Sequence, residues 1–248
     1  MKKTMVWAHR GASGYKPENT MEAFELAIQQ EADGIELDVH TSADGELIVM
    51  HDETVDRVTD GSGQISKMTL AQLKKLKVST PAEPNGIYRV PTLKEVLDLM
   101  RKTDMKVNIE LKNSIVFYDG MEEKILKLVK ELRMEDQMIY SSFNHFSLLK
   151  LKELDAQVET GILYSDGWVG QAEYAKKLGV DALHPAVYHL QYPGFVEEAG
   201  KAGLKMHVWT ADEPEHIQMV LDAGADAVIT DYPDRALMMR SHRIHECR

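Results

Sequence analysis

The side chains best suited to chemistry fall into a few short runs. Glu36 and Asp38 are two residues apart, and Glu110 lies in a second run of the same kind, Val107–Lys112. In an extended chain, residues two apart share a face. Glu36, Asp38 and His40 form one face of the segment Ile35–His40, with Ile35, Leu37 and Val39 on the other. The second segment repeats the pattern: Asn108, Glu110 and Lys112 lie opposite Val107, Ile109 and Leu111. If the apolar faces pack outward against helices, Glu36, Asp38 and Glu110 point into one small interior. Unpaired carboxylates there repel one another and are poorly solvated. A divalent cation resolves both problems, and an all-oxygen ligand set suits Mg²⁺ or Ca²⁺ rather than Zn²⁺. Ion pairing with Arg10 and Lys112, or one acid held protonated, is the better reading for any single carboxylate. The convergence of three favours the cation.

Two histidines close extended segments near these acids. His9 ends Met5–His9, and His51 ends Leu47–His51 and is followed by Asp52. Imidazole is the side chain best matched to proton transfer near neutral pH. A lone buried histidine is more often structural, whereas two at strand C-termini point to acid–base work. Arg10 and Lys112 supply local positive charge for a phosphate, Arg10 through its bidentate fork. Trp209 shares a face with His207 on Lys205–Thr210. It reads either as a core aromatic or as one wall of a binding site, and Phe143 and Tyr188 carry the same two readings.

Such residues need a scaffold, and the chain alternates short β-branched runs with helical ones. Further strands are expected at Met138–Phe143, Glu159–Tyr164, Ala182–Pro185 and Ala227–Asp231. Helices are expected at Glu18–Glu31 (capped by Asn19 or Thr20), Leu93–Lys102 (capped by Thr92), Met121–Arg133 and Phe146–Leu154. Four more are expected at Gln171–Leu178, Gly194–Ala202, Glu213–Ala223 and Asp234–Arg243. Three helix-to-strand joints echo one another: Ala32-Asp33-Gly34-Ile35, Gly179-Val180-Asp181-Ala182 and Gly224-Ala225-Asp226-Ala227. A glycine at each suits a helix C-cap. Regular β-then-α alternation implies parallel strands with crossover helices. About eight such units fit the length, which predicts an α/β fold of the TIM (β/α)₈ barrel class. An open doubly wound sheet is the runner-up, but no dinucleotide-type glycine turn follows the first strand. The stretch from Asp52 to about Pro91 is long for a connection and includes a short helical signal, Thr69–Leu76. It reads as an insertion on the barrel rim of one domain spanning 1–248, placed to tune substrate choice rather than chemistry.

Composition narrows the class. The 248 residues are 44% hydrophobic and 28% charged, as expected of a soluble globular chain with a sizeable core. The single cysteine, Cys247, excludes an internal disulfide framework. A net charge of −11 argues against nucleic acid as a partner, since phosphate backbones need a basic surface. It leaves room for a small anion held by a few local cations. Lys2 and Lys3 resemble the start of a signal peptide, but His9 and Arg10 interrupt the apolar run, and no later segment suits a membrane anchor. A cytoplasmic location is the expectation.

Taken in order, the motifs have a family's outline. They are His9-Arg10-Gly11, Pro17-Glu18-Asn19-Thr20, Glu36-Leu37-Asp38-Val39, Asp44-Gly45, His51-Asp52 and Glu110-Leu111-Lys112. Ser142-Phe143, Trp209-Thr210 and Thr230-Asp231-Tyr232-Pro233 follow. Over nearly the whole chain this resembles the glycerophosphodiester phosphodiesterase family, including its insertion after His51. The resemblance implies a TIM barrel that hydrolyses glycerophosphodiesters to sn-glycerol 3-phosphate and an alcohol, within glycerol and lipid metabolism. It implies His9 and His51 as the acid–base pair, and Glu36, Asp38 and Glu110 as ligands of Mg²⁺ or Ca²⁺. Arg10 and Lys112 would bind the phosphate, and Phe143 and Trp209 would wall the glycerol moiety. Two alternatives share part of this pattern: a barrel phospholipase of the inositol-phospholipid or sphingomyelinase D kind, and a phosphodiester-binding barrel without turnover.

Overall fold

A computed structural model of the chain describes residues 3–80 and 83–246. Cys247, and Pro81 and Ala82 of the insertion, lie outside the described residues. The strands are β1 (Met5–His9), β2 (Gly34–Thr41), β3 (Leu47–Val49), β4 (Val78–Thr80), β5 (Glu83–Tyr88) and β6 (Lys106–Leu111). They continue with β7 (Met138–Ser142), β8 (Thr160–Tyr164), β9 (Ala182–Pro185), β10 (Lys205–Val208) and β11 (Ala227–Thr230). Among the described residues, β1, β2 and β6 to β11 are parallel neighbours, and β1 pairs with both β11 and β2. The sheet therefore closes into the eight-stranded barrel expected from the alternation.

The helices are α1 (Met21–Gln29), α2 (Leu70–Leu73), α3 (Leu93–Met100), α4 (Met121–Leu132), α5 (His145–Leu154) and α6 (Gln171–Leu178). Then come α7 (Phe195–Lys201), α8 (Pro214–Asp222) and α9 (Pro233–Glu246). All but α2 form the outer ring. Of the two cap candidates for α1, Thr20 takes the role, its hydroxyl accepting from the Ala23 amide. Asn19 instead has a φ of 57° and turns into the barrel mouth. Thr92 opens α3 with a capping box closed by Glu95. Strand residues Val6, Ala8, Ile35, Leu37, Val107 and Ile109 pack outward on these helices as the main core. Trp7, Ile139, Ala227 and Ile229 fill the inside of the barrel. Among the described residues no helix is long and apolar enough to cross a membrane.

Two expectations change. The segment read as a strand over Leu47–His51 is only Leu47–Val49, and it is not a stave of the barrel. It runs antiparallel to β2, with Val39 beside Val49 and Thr41 beside Leu47. The rim insertion also holds more order than a loop and one helix. The antiparallel pair β4–β5 lies in it, and Ile48, Met50, Val55, Ile65, Leu73, Val78 and Val90 make a small core of its own.

The three echoing joints do a job beyond capping. Asp33 accepts from the Val6 amide at 2.8 Å and Asp181 from the Thr160 amide at 2.8 Å. Asp226 accepts from the Met206 amide at 3.2 Å. Each aspartate thus satisfies the backbone at the start of a neighbouring strand, where a buried donor left unpaired is expensive. The glycines differ. Gly179 and Gly224 are left-handed at φ 72° and 66°, as a C-cap requires. Gly34 instead starts β2 in a tight place, where a Cβ would lie 2.8 Å from both the Lys106 carbonyl and the Trp7 ring. The left-handed turn of that joint falls on Glu31, at φ 60°.

Candidate active site

The antiparallel strand β3 explains how the site is assembled. One edge of β2 pairs along its length with β6. The other edge is shared. β1 occupies its first part, ending with His9 beside Glu36. β3 occupies the rest from the opposite direction, and beyond it the Met50 amide donates to the Asp38 carbonyl at 3.1 Å. His9 and His51 therefore approach from opposite ends the stretch of β2 that carries Glu36 and Asp38. His51 reaches the mouth from the segment just past β3, where the insertion begins, and not from a barrel strand. Its carbonyl is held by His40 Nε2 at 3.0 Å, while His40 Nδ1 meets the Tyr118 hydroxyl at 3.0 Å.

The register of β2 and β6 places Asp38 beside Glu110. Glu36, Asp38 and Glu110 are all buried, and one ligand atom from each lies within 4.8 Å of the others. Burial, then the like charge of Asp38, pushes the Glu36 carboxyl up to about 8. Burial also raises Glu110. Burial alone would raise Asp38 too, but the nearby Lys112 and Arg10 outweigh it and hold this carboxyl below its ordinary value. Among the described residues Asp38 Oδ1 is buried without a hydrogen bond. An orphaned carboxylate oxygen among three converging acids fits a divalent cation, and the all-oxygen donor set fits a hard one. The triad can hold such an ion.

The ion pairs considered as the alternative are present as well. Lys112 Nζ stands 2.8 Å from Glu110 Oε1 and 3.7 Å from Asp38 Oδ1. Arg10 Nε lies 3.4 Å from Asp38 Oδ2, and its Nη1 donates to Glu18 Oε1 at 2.9 Å. Arg10 has a φ of 55°, a conformation that costs about 1–3 kcal/mol for a residue other than glycine. The turn aims its amide at Glu36 Oε2, 3.1 Å away. Asn19 donates to Asp38 Oδ2 at 2.9 Å from its own left-handed turn.

Each histidine is held by an aspartate. His9 Nδ1 donates to Asp231 Oδ1 at 2.7 Å, and the Ser13 hydroxyl donates to the same oxygen at 2.8 Å. His51 Nδ1 donates to Asp52 Oδ1 at 2.6 Å. A proton fixed on Nδ1 leaves Nε2 as the atom that exchanges protons. Burial lowers the proton affinity of His9, but the hydrogen bond to Asp231 and the charge of Glu36 more than reverse this, so its pKa lies above the ordinary value.

A cleft of about 180 Å³ opens at this end of the barrel. Of the residues singled out from sequence, His9, Arg10, Glu36, His51, Glu110, Phe143 and Trp209 line it. Asp38 and Lys112 join it through their contacts with Glu110 and Arg10. Phe143 and Trp209 meet edge to face at 5.8 Å, and Trp209 Nε1 donates to the His184 carbonyl at 2.7 Å. Tyr188 is not brought in; its hydroxyl donates to the Ser165 carbonyl instead. Asn108, placed on the inward face from sequence but given no role there, also lines the cleft, and so does His184, which sequence reasoning missed. Burial pulls His184 down to about 3, so it is neutral at working pH. The role of Asp231 was also missed; the signal for it was an acid at the end of the last strand.

Residues 9–235 match the glycerophosphoryl diester phosphodiesterase family. The chain belongs to this family. A glycerophosphodiester phosphodiesterase of Caldanaerobacter subterraneus subsp. tengcongensis is 44% identical, covering 94% of this chain and 96% of that protein. A glycerophosphodiester phosphodiesterase from Agrobacterium tumefaciens superposes with a TM-score of 0.81 at 30% identity, covering 94% of this chain and 98% of the other. An Oleispira antarctica phosphodiesterase, solved in complex with the product sn-glycerol-3-phosphate, gives 0.84 at 31% identity over 94% and 95% of the two chains. Membership of the glycerophosphoryl diester phosphodiesterase family selects that reading over the phospholipase-type barrels, and makes the chain a phosphoric diester hydrolase.

Proposed function

We propose that the chain hydrolyses glycerophosphodiesters to sn-glycerol 3-phosphate and an alcohol, as a cytoplasmic enzyme using one divalent cation and a pair of histidines. The observation that carries this reading is the placement of two His–Asp pairs on either side of one buried acid triad. The product found in the Oleispira relative supports the substrate class.

A phosphodiester is a monoanion that resists attack, so charge must be neutralised where it develops. Glu36, Asp38 and Glu110 would hold Mg²⁺ or Ca²⁺, which when bound supplies Lewis-acid neutralisation of phosphoryl charge. Arg10 and Lys112 line the same interior, and guanidinium and ammonium groups bring more donors than their present ion pairs use. They bind and orient the phosphate. One histidine removes a proton from the attacking hydroxyl, either water or the neighbouring hydroxyl of the glycerol. The other protonates the departing alkoxide. Asp231 holds the proton affinity of His9 above its ordinary value, which suits it to the acid role in the first step. His51, oriented by Asp52, is then the base. If the glycerol hydroxyl attacks, the cyclic phosphate it forms is opened by water with the roles exchanged. Phe143 and Trp209 form the apolar wall against the glycerol carbons.

A coupled assay for sn-glycerol 3-phosphate, run on His9→Ala and His51→Ala beside the parent chain, tests this reading. Each substitution is expected to lower kcat by roughly 10²-fold or more. Near-native rates in both variants would make the histidines structural and defeat the mechanism.

A further inference from the structure

The rim insertion places one side chain against the machinery. Arg57 Nε donates to Asp52 Oδ2 at 2.7 Å and Arg57 Nη2 to Asp52 Oδ1 at 3.0 Å. The same Nη2 donates to Glu18 Oε1 at 2.8 Å, and Nη1 to Glu18 Oε2 at 2.8 Å. A single guanidinium thus grips two carboxylates, each with two bonds, using the fork geometry that only arginine offers. Neither carboxylate is idle. Asp52 Oδ1 accepts from His51 Nδ1, and Glu18 Oε1 accepts from Arg10 Nη1.

We infer that Arg57 is a positioning residue that sets both the acid–base histidine, through Asp52, and the phosphate-binding arginine, through Glu18. This rests on the reading of His51 and Arg10 given above. Arg57 is well placed for the task. It lies two residues after Val55, which is fully buried in the insertion's own core, so the backbone that carries it is anchored. The Arg57 side chain is itself 48% exposed. Half-exposed ion pairs contribute little to folding stability, so the consequence of losing it falls on geometry. One oxygen of Asp52 and one of Glu18 lie within 3.0 Å of the same nitrogen. Without the guanidinium these two carboxylates face each other and repel, and each swings away from the group it holds. Arg57 is also the largest influence keeping Asp52 ionised, well below the usual carboxylate range. The insertion is therefore a clamp on the chemistry as well as a rim on the cleft, which revises the expectation that it serves substrate choice alone.

The test compares Arg57→Ala, Arg57→Lys, Asp52→Ala, the Asp52→Ala/Arg57→Ala double variant and His51→Ala, with glycerophosphocholine as substrate and released sn-glycerol 3-phosphate as readout. Arg57→Ala is expected to lower kcat roughly tenfold or more, since small misplacements of reacting groups are costly. It is also expected to raise KM, because Arg10 loses its support. A merely structural role would reduce the active fraction, lowering kcat with KM unchanged, and would overturn the inference. Arg57→Lys is expected to recover little, because an ammonium cannot serve both carboxylates at once. The double variant is expected to be no worse in kcat than Asp52→Ala alone. Folded Arg57→Ala with kcat and KM within twofold of the parent overturns the inference. If Arg57→Ala does not fold, Arg57→Lys carries the same comparison, and failure of both to fold assigns Arg57 to stability and overturns it. His51→Ala separates the two claims: if it retains activity, the reading of the site fails first; if it is inactive while Arg57→Ala is not, the inference fails alone.

Discussion

Asp231, just past the last barrel strand, accepts a 2.7 Å hydrogen bond from Nδ1 of His9, the final residue of the first strand. The two are 222 residues apart and meet because β11 pairs with β1 to close the barrel. The proton affinity of His9 is thus tied to closure of the fold.

Asp231→Asn keeps the shape and removes the charge, so it is expected to lower kcat roughly 10–100-fold, as loss of an orienting carboxylate does elsewhere. The sign of the pH effect follows from the causes. Burial lowers the His9 pKa and Asp231 raises it above the ordinary value. Without Asp231 the pKa falls, and the limb of the kcat/KM profile that reports His9 moves to lower pH. The same raised pKa stabilises the native fold below the unfolded histidine value of about 6.5 and stops doing so as pH rises through the folded value. A profile unchanged between Asp231→Asn and the parent chain would show that the pair has no part in proton transfer.

Much of this was legible in the sequence, for physical reasons that differ from residue to residue. The period-two alternation around Glu36, Asp38 and Glu110 placed the acids on one face because side-chain direction in a strand is a local property. The barrel followed from repetition. The extended segment read over Leu47–His51 carried no sign of its direction, because a short antiparallel return and a parallel strand have the same local pattern; only pairing distinguishes them. The β4–β5 pair lay hidden behind Pro84 and Gly86, which read as loop. Gly34 carried the same joint signature as Gly179 and Gly224, but its reason is the Trp7 ring pressed against it. The pairs Asp231–His9 and Arg57–Glu18 join residues 222 and 39 apart, which no window of sequence contains.

The acid triad predicts opposite effects on stability and function. Glu36→Gln mimics the uncharged form that the metal-free fold already favours, since burial and Asp38 push the Glu36 carboxyl up to about 8. In excess chelator Glu36→Gln is expected to unfold at the same or a higher temperature than the parent chain. Its folded-state pKa is raised, so metal-free parent protein is expected to lose stability as pH rises from the unfolded glutamate value of about 4.3 toward 8. Adding Mg²⁺ or Ca²⁺ is expected to raise the melting temperature of the parent and to do so much less for Glu36→Gln. Equal stabilisation of both by metal would remove Glu36 from the ligand set.

The two histidines are expected to separate when the leaving group is changed. A nitrophenyl ester that retains the neighbouring hydroxyl needs no protonation of its leaving group. His9→Ala is therefore expected to be partly rescued by such an ester, and His51→Ala is not. Rescue of His51→Ala in place of His9→Ala would exchange the assigned roles.

Phe143 is 39% exposed and meets Trp209 at the edge of the cleft. Phe143→Ala is expected to raise KM several-fold with kcat little changed and to shift stability by no more than about 0.5 kcal/mol, as for other surface substitutions. A large fall in kcat with KM unchanged would give the ring a role in the chemical step instead.

The most direct measurement is release of sn-glycerol 3-phosphate from glycerophosphocholine or glycerophosphoethanolamine by the parent chain, with and without excess chelator. The account predicts release that stops on chelation and returns with Mg²⁺ or Ca²⁺, because Glu36, Asp38 and Glu110 bring three buried carboxylates within reach of one ion. Full turnover by metal-free protein in excess chelator, or no sn-glycerol 3-phosphate from either diester with any divalent cation, would contradict it.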